Sequence, residues 1–155
     1  MASPNDKAWM NEAVELRSQK PRHILFMCVA NSARSQIAEG LARAAAPKGV
    51  RISSAGSEPK TVNPLAIDVL SEIGIDISAH RSKAVDEIDS RSVDAVITLC
   101  AEEVCPVFFG PAKRLHWGMP DPALADGSKE QQLVAFRKVR DELQHRLTVL
   151  FSGWI

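Results

Sequence analysis

His23-Ile-Leu-Phe-Met-Cys28-Val-Ala-Asn-Ser-Ala-Arg34-Ser35 is the stretch from which the fold of this chain is read. Its first five residues are nearly all apolar, the pattern of a strand buried on both faces of a parallel sheet. Residues 35–46 then place Ile37, Ala38, Leu41, Ala42 and Ala45 at helical spacing, and Pro47 and Gly49 stop the run. A buried strand therefore passes through a tight loop into a helix, the opening unit of an α/β domain.

Working outward, the alternation repeats. Residues 50–54 read as a second strand, and residues 64–73 as a helix started by Asn63, with Pro64 at its first position and Gly74 at its end. A third buried strand is expected over 93–99 and a short fourth over 113–117, with a short helix at 85–90 and a loop at 118–127. Residues 128–150 carry Leu133, Phe136, Val139, Leu143, Leu147 and Leu150 on one face of a terminal helix. Four such alternations imply a parallel sheet covered by helices on both sides and joined by right-handed crossovers. One domain is expected over 21–155. Residues 1–20 form an N-terminal extension, in which Ala8, Trp9, Ala13, Val14 and Leu16 suit either a short amphipathic helix over 6–18 or a partly ordered segment. Ligands of such sheets bind beyond the carboxyl ends of the strands. Cys28 and Cys100, each ending a strand, thus belong to one rim.

Nineteen basic residues balance nineteen acidic ones among 155, so no overall field drives the chain toward nucleic acid or an anionic membrane. Any anion affinity has to be local. No run of about eighteen apolar residues is present, and the first twenty residues are mostly polar, which implies a soluble, cytoplasmic protein. Three cysteines at 28, 100 and 105 suit a reducing compartment better than a secreted disulfide framework. With His23, His80, His116 and His145 they show no paired metal-ligand spacing, so neither a structural metal nor a tightly bound cofactor is expected.

The loop between the first strand and the helix carries the chemistry. A sharp strand-to-helix turn leaves successive backbone N–H groups of residues Val29, Ala30, Asn31, Ser32, Ala33, Arg34 and Ser35 able to converge on a tetrahedral oxyanion. Arg34 lies six residues after Cys28, and its planar fork holds two oxygens of phosphate or arsenate. Helix N-termini and nearby cations lower a cysteine pKa from about 8.5 to between roughly 3.5 and 7.5, which makes Cys28 a thiolate nucleophile. Ser32 and Ser35 are expected to donate to that thiolate, and Asn31 to brace the loop. No Gly-rich run ending in Lys-Ser or Lys-Thr follows the strand, which excludes a Walker phosphate loop.

The stretch Cys28-Val-Ala-Asn-Ser-Ala-Arg-Ser-Gln-Ile-Ala-Glu39, with Ser53-Ser54-Ala55-Gly56, Asn63-Pro64, Ile75-Asp76-Ile77-Ser78 and Asp121-Pro122, resembles the low-molecular-weight protein tyrosine phosphatases. It looks closer still to their thioredoxin-coupled arsenate reductase relatives. Over about residues 22–150 the resemblance implies a three-layer α/β sandwich on a four-stranded parallel sheet of order 2-1-3-4. It also implies that Asp121 matches the phosphatase general acid, on a mobile loop facing Cys28. Ala33 departs from the many members that carry Cys there. Asn31, Glu39, Ser54 and Asp76 match positions that, in related reductases, bind a monovalent cation, potassium, or brace the loop.

Phosphatase and reductase both begin with attack by Cys28 on a bound anion. They part when a second thiol attacks Cys28, and Cys100 is placed to supply it. The resemblance implies a Cys28–Cys100 disulfide, then a Cys100–Cys105 disulfide handed to thioredoxin, with arsenate as substrate and phosphate or sulfate as competing anions. On one regular helix, Cys100 and Cys105 would stand about 8.7 Å apart between Cα atoms. A disulfide tolerates no more than about 7 Å. Segment 100–106 is therefore expected to loop or unwind and to be mobile, helped by Pro106, which biases Cys105 away from helical geometry. The chain has no tyrosine, and Ser57-Glu-Pro-Lys-Thr-Val62 and Ala123-Leu-Ala-Asp126 offer an aryl phosphate little to stack on. A small inorganic anion needs no such wall. His116-Trp117-Gly118 reads as packing at a strand end.

Overall fold

All six residues of strand β1, His23–Cys28, are buried, and both neighbours of this strand run parallel to it. The computed structural model describes residues 4–101 and 105–154, with side chains from Lys7 onward. On one side β1 pairs with β2 (Arg51–Gly56) and on the other with β3 (Ala95–Thr98), which in turn pairs with β4 (Lys113–His116). The sheet order is β2-β1-β3-β4, as the resemblance implied. Met27 sits opposite Thr98, and Leu99 donates its amide to Met27 O at 2.9 Å, so the ends of β1 and β3 lie side by side.

The helices are α1 (Pro4–Gln19), α2 (Arg34–Ala45), α3 (Pro64–Ser71) and α4 (Lys129–Phe151). All four pack on one face of the sheet, over Ile24, Phe26, Ile52, Ala95, Ile97 and Leu115. The opposite face, with Leu25, Met27, Ala55 and Val96, is covered by Val93, Phe108 and Ala112 together with Val85 and Ile88. The three-layer arrangement holds: among the described residues the helical element on this second face is the 3-10 turn Val85–Glu87, beside an irregular segment. Local hydrogen bonding explains why 85–90 does not become a longer helix. Asp89 Oδ1 accepts from Arg91 N at 3.1 Å, a side-chain turn that competes with the next helical bond.

Caps fix where the helices begin. Asn63 Oδ1 accepts from Leu65 N at 2.9 Å ahead of α3, with Pro64 at the first helical position. Ser128 and Gln131 bond reciprocally at the start of α4, and Ser128 Oγ accepts from Gln131 N at 3.2 Å. Helix α1 lies on α4, where Trp9 meets Trp117 edge-on at 6.2 Å between ring centroids and the Arg146 guanidinium stands 4.8 Å over the Trp9 ring. Trp117 directly follows β4 and is fully buried, so the expected packing role of 116–118 falls on the indole. Among the described residues no helix is long and apolar enough to cross a membrane.

Cys100 and Cys105 are joined by a disulfide with Cα atoms 5.5 Å apart, well inside the limit that a regular helix would exceed. Cys100, Ala101, Cys105 and Pro106 belong to no helix. The expected mobility of 100–106 concerns a segment whose residues 102–104 lie outside the described residues.

Glu72, at the end of α3, receives Arg137 Nε at 3.0 Å and Nη2 at 2.7 Å, and Arg140 Nη1 at 2.7 Å, which ties α3 to α4. Hydrogen bonds first from Arg137 and then from Arg140 lower its carboxyl from 4.5 to about 2. A depressed carboxyl stabilises the fold above its unfolded value and loses that contribution as pH falls through the folded value. In acid titrations followed by circular dichroism, native protein is expected to outlast Glu72→Gln above pH 4.5, with the gap closing between pH 4.5 and 2. A gap that stays constant across that window would show that the carboxylate contributes nothing.

Candidate active site

Which way the peptide groups of residues 29–33 face decides what the loop can bind. Val29 O accepts from Glu58 N, Ala30 O from Lys60 N and Ser32 O from Asn63 N, each at 2.9 Å. Asn31 O accepts from Ser82 Oγ at 2.7 Å and Gln36 Nε2 at 3.2 Å. Four successive carbonyls thus point outward, and since C=O and the following N–H of a peptide unit point oppositely, the amides of residues 30–33 turn inward. Asn31 makes the turn possible with φ +47, a left-handed conformation that Asn tolerates better than most residues. Helix α2 opens on Ala33, whose side chain supplies no cap, unlike the Asn63 and Ser128 starts of α3 and α4.

Cys28 is a free thiol, 2% exposed, at the end of β1. Its Sγ lies 2.9 Å from Ser35 Oγ, and Asn31 Nδ2 donates to that same hydroxyl at 2.7 Å. Asn31 Oδ1 is held by two donors, Lys83 N at 2.8 Å and Gln36 Nε2 at 3.0 Å, which fixes the amide the other way round. With Asn31 donating to it, the Ser35 hydroxyl has its own proton left for the sulfur. A chain of hydrogen bonds thus runs from Asn31 through Ser35 to Cys28. Ser32 does not join it, contrary to expectation. Its hydroxyl faces outward and donates to Thr61 O at 2.7 Å, bracing the loop from outside.

A cleft of about 450 Å³ opens over the sulfur, lined by Cys28, Ala30, Arg34, Lys60, Thr61 and Asp121 among others. Arg34 is 4% exposed. Its Nη1 donates to Met119 O at 3.0 Å and Leu99 O at 3.4 Å, and Nη2 stands 3.9 Å from Asp121 Oδ2. The guanidinium thereby joins the loop to the strand end that carries Cys100 and to the segment that carries Asp121. Asp121 caps the 3-10 turn Pro122–Leu124, accepting from Ala123 N at 3.0 Å, which aims its carboxylate at the cleft mouth. Among the described residues no aromatic side chain lines the cleft.

Of the four residues expected around a cation, Glu39 and Ser54 bond each other, Lys83 links Glu39 to Asn31, and Asp76 bonds within its own segment. Glu39 Oε1 accepts from Ser54 Oγ at 2.7 Å and has Lys83 Nζ at 3.6 Å. Asn31 Oδ1 is already taken, and Asp76 accepts from Ser78 N at 2.8 Å on another segment. Lys83 thus stands where a soluble cation would meet Glu39, and this donor set does not fit one. Among the described residues no cluster of three or more His, Cys, Asp or Glu side chains forms a metal site. His80 Nδ1 lies 3.1 Å from Gln36 Oε1 and 3.4 Å from Glu39 Oε2, both acceptors, which makes Nδ1 the protonated nitrogen. Burial pushes His80 below its ordinary value despite the neighbouring Glu39 carboxylate. Gln36, Ser82 and Lys83 were not anticipated as parts of the site, because nothing in their spacing marks a hydrogen-bonded support.

Parallel sheet, strand-end thiol and inward-facing amides followed by an arginine are together the features of an enzyme that acts on a tetrahedral oxyanion. The chain belongs to the family described as low molecular weight phosphotyrosine protein phosphatase, whose sequence pattern matches residues 23–153. It is 43% identical over 126 residues to an arsenate reductase of Halalkalibacterium halodurans, covering 80% of this chain and 91% of that protein. A solved arsenate reductase in a phosphate-binding state superposes with TM-score 0.71 at 31% identity, over 86% of this chain and 99% of the other. A thioredoxin-dependent arsenate reductase of Corynebacterium glutamicum superposes with TM-score 0.64 at 30% identity, over 93% of this chain and 69% of that one.

Ser35→Ala removes the donor to sulfur and strands a fully buried Asn31 amide, so kcat/KM is expected to fall about 10- to 100-fold, the scale of one charge-assisted hydrogen bond. Unchanged steady-state kinetics would separate Ser35 from the chemistry. At Gly56 an added Cβ would run into Val29 O and sit 2.9 Å from Asn31 N. Gly56→Ala is therefore expected to lower stability by about 1–3 kcal/mol in a denaturant titration while displacing the loop and weakening anion binding.

Proposed function

We propose that this enzyme reduces arsenate to arsenite in the cytoplasm, with Cys28 as nucleophile, Cys100 and Cys105 as a disulfide relay and thioredoxin as the final reductant. The inward amides of residues 30–33 and Arg34 hold the arsenate dianion. The Cys28 thiolate attacks arsenic and displaces one oxygen, which leaves as water after protonation, with Asp121 at the cleft mouth as the acid. Cys100 then attacks Cys28 Sγ. The As–S bond breaks with its electron pair going to arsenic, so As(V) becomes As(III) and a Cys28–Cys100 disulfide forms. Cys105 attacks Cys100, frees Cys28 as a thiolate and leaves Cys100–Cys105, which an external dithiol reduces.

The observation that carries this reading is the pairing of Cys100 with Cys105 while Cys28 remains a free thiol, the end state such a relay would reach. The arsenate reductase relatives and the cleft without an aromatic wall support the same reading. A second reading, hydrolysis of a phosphate ester through phosphocysteine, is favoured by Asp121 sharing the cleft with Cys28.

Arsenate-dependent NADPH oxidation with thioredoxin and its reductase, run beside hydrolysis of an aryl phosphate, tests both. Cys28→Ser is expected to abolish each activity. Cys100→Ser should stop arsenate turnover and spare hydrolysis. Multiple turnovers of arsenate by the Cys100→Ser enzyme with thioredoxin would rule out the relay.

A further inference from the structure

Glu39 is a buried carboxylate that takes no part in the attack on arsenic, yet it draws more cationic neighbours than any other acid of the site. Its side chain is 3% exposed. Beyond Ser54, Oε1 faces Lys83 Nζ at 3.6 Å, while Oε2 faces Arg43 Nε at 3.2 Å and His80 Nδ1 at 3.4 Å. His80 is held below its ordinary value and stays neutral at neutral pH, and the Arg43 side chain is 58% exposed and screened by water. Lys83, at 18% exposed, is the enclosed cation, and its ammonium also donates to Arg81 O at 3.0 Å.

The geometry points to Lys83 as a built-in counter-cation: its ammonium fills the role of a soluble monovalent ion at Glu39 and thereby positions the catalytic loop. The path to the sulfur is continuous. Holding the ammonium on Glu39 and Arg81 O pins segment 81–83, whose Lys83 N donates to Asn31 Oδ1 at 2.8 Å and whose Ser82 Oγ donates to Asn31 O at 2.7 Å. Lys83 O accepts from Gly56 N at 2.9 Å, which seats the same segment against the end of β2. Asn31 in turn orients Ser35 toward Cys28. Lys83 is thus a positioning residue that touches neither substrate nor sulfur. A carboxylate buried to this degree needs an opposite charge beside it. A tethered ammonium supplies one at every salt composition; without it, a weakly hydrated ion of similar size and charge, such as potassium, is the nearest replacement.

The inference rests on the proposed function only for the nucleophilic role of Cys28, and its test needs no arsenate. Reduced native protein and its Lys83→Arg, Lys83→Ala and Lys83→Met variants are compared in potassium chloride and in tetramethylammonium chloride at equal ionic strength. The readouts are the thermal midpoint and the rate of iodoacetamide alkylation at Cys28, followed by mass spectrometry of the Cys28 peptide. Native protein and Lys83→Arg should behave alike in the two salts. Lys83→Ala should alkylate about tenfold more slowly in tetramethylammonium, as expected when a support shell around a reactive group is loosened, and recover with a higher midpoint in potassium. Lys83→Met, which fills the space without charge, should stay slow in both. A native protein that needs potassium, or a Lys83→Ala protein indifferent to it, would overturn the assignment.

Discussion

Everything at the site depends on the outward turn of four carbonyls, those of Val29, Ala30, Asn31 and Ser32. Each has a donor on the far side of the loop, supplied by segments 58–63 and 81–83 or by Gln36. A buried carbonyl left without a partner costs about 1–3 kcal/mol, so four bonded carbonyls hold the orientation of the loop against an alternative that faces them inward. The amides are thereby committed to the cleft before any anion arrives. A loop pre-organised in this way avoids reorganising at the moment of reaction, which gives fixed dipoles their advantage over water.

The fold places the donors that do this. Because β1 lies between β2 and β3, the loop after β1 is flanked on one side by the chain leaving β2, which carries Glu58, Lys60 and Asn63, and on the other by Leu99 and Cys100 leaving β3. Gly56 makes the first contact close, since a side chain there would occupy the place of Val29 O. Arg34 makes the second, through Leu99 O. Cys28, the loop that follows it and Cys100 are therefore neighbours because of strand order, and residues 72 positions apart in sequence share one rim.

Strands, helices and this rim were legible in the sequence because each rests on a local pattern: an apolar run ending at Cys28, Asn63-Pro64 before α3, Ser128 before α4. The thin third layer was not. Residues 85–90 carry apolar side chains at spacings that suit a helix, and only the competing bond from Asp89 Oδ1 to Arg91 N shows why the turn stops. In the site, Cys28, Arg34, Ser35, Asn31 and Asp121 were readable from one motif and one resemblance, and all lie at the cleft or directly behind it. Ser32 was assigned to the thiolate on residue type alone, whereas its hydroxyl direction is set by Thr61 O, 29 positions on. Lys83 was invisible for the same reason. Its meaning comes from a carboxylate 44 positions earlier, and no local spacing encodes that contact.

A chain with no net charge can still bind a dianion when its charges are sorted by depth. Glu39, the carboxylate buried closest behind the loop, is countered by Lys83 and Arg43 and adds little negative field at the sulfur. Asp121 sits at the mouth, within 3.9 Å of Arg34. Among the described residues, the cations lining the cleft are Arg34, almost wholly buried, and Lys60. In a low-dielectric recess such charges act far more strongly than the same charges spread over the surface. With no aromatic wall to add stacking energy, selection among ligands falls to charge and tetrahedral shape alone. Arsenate and phosphate satisfy both equally. Binding therefore does not distinguish them, and in the proposed reaction the distinction passes to the step in which a second thiol is oxidised and supplies the electron pair that arsenic, unlike phosphorus, accepts.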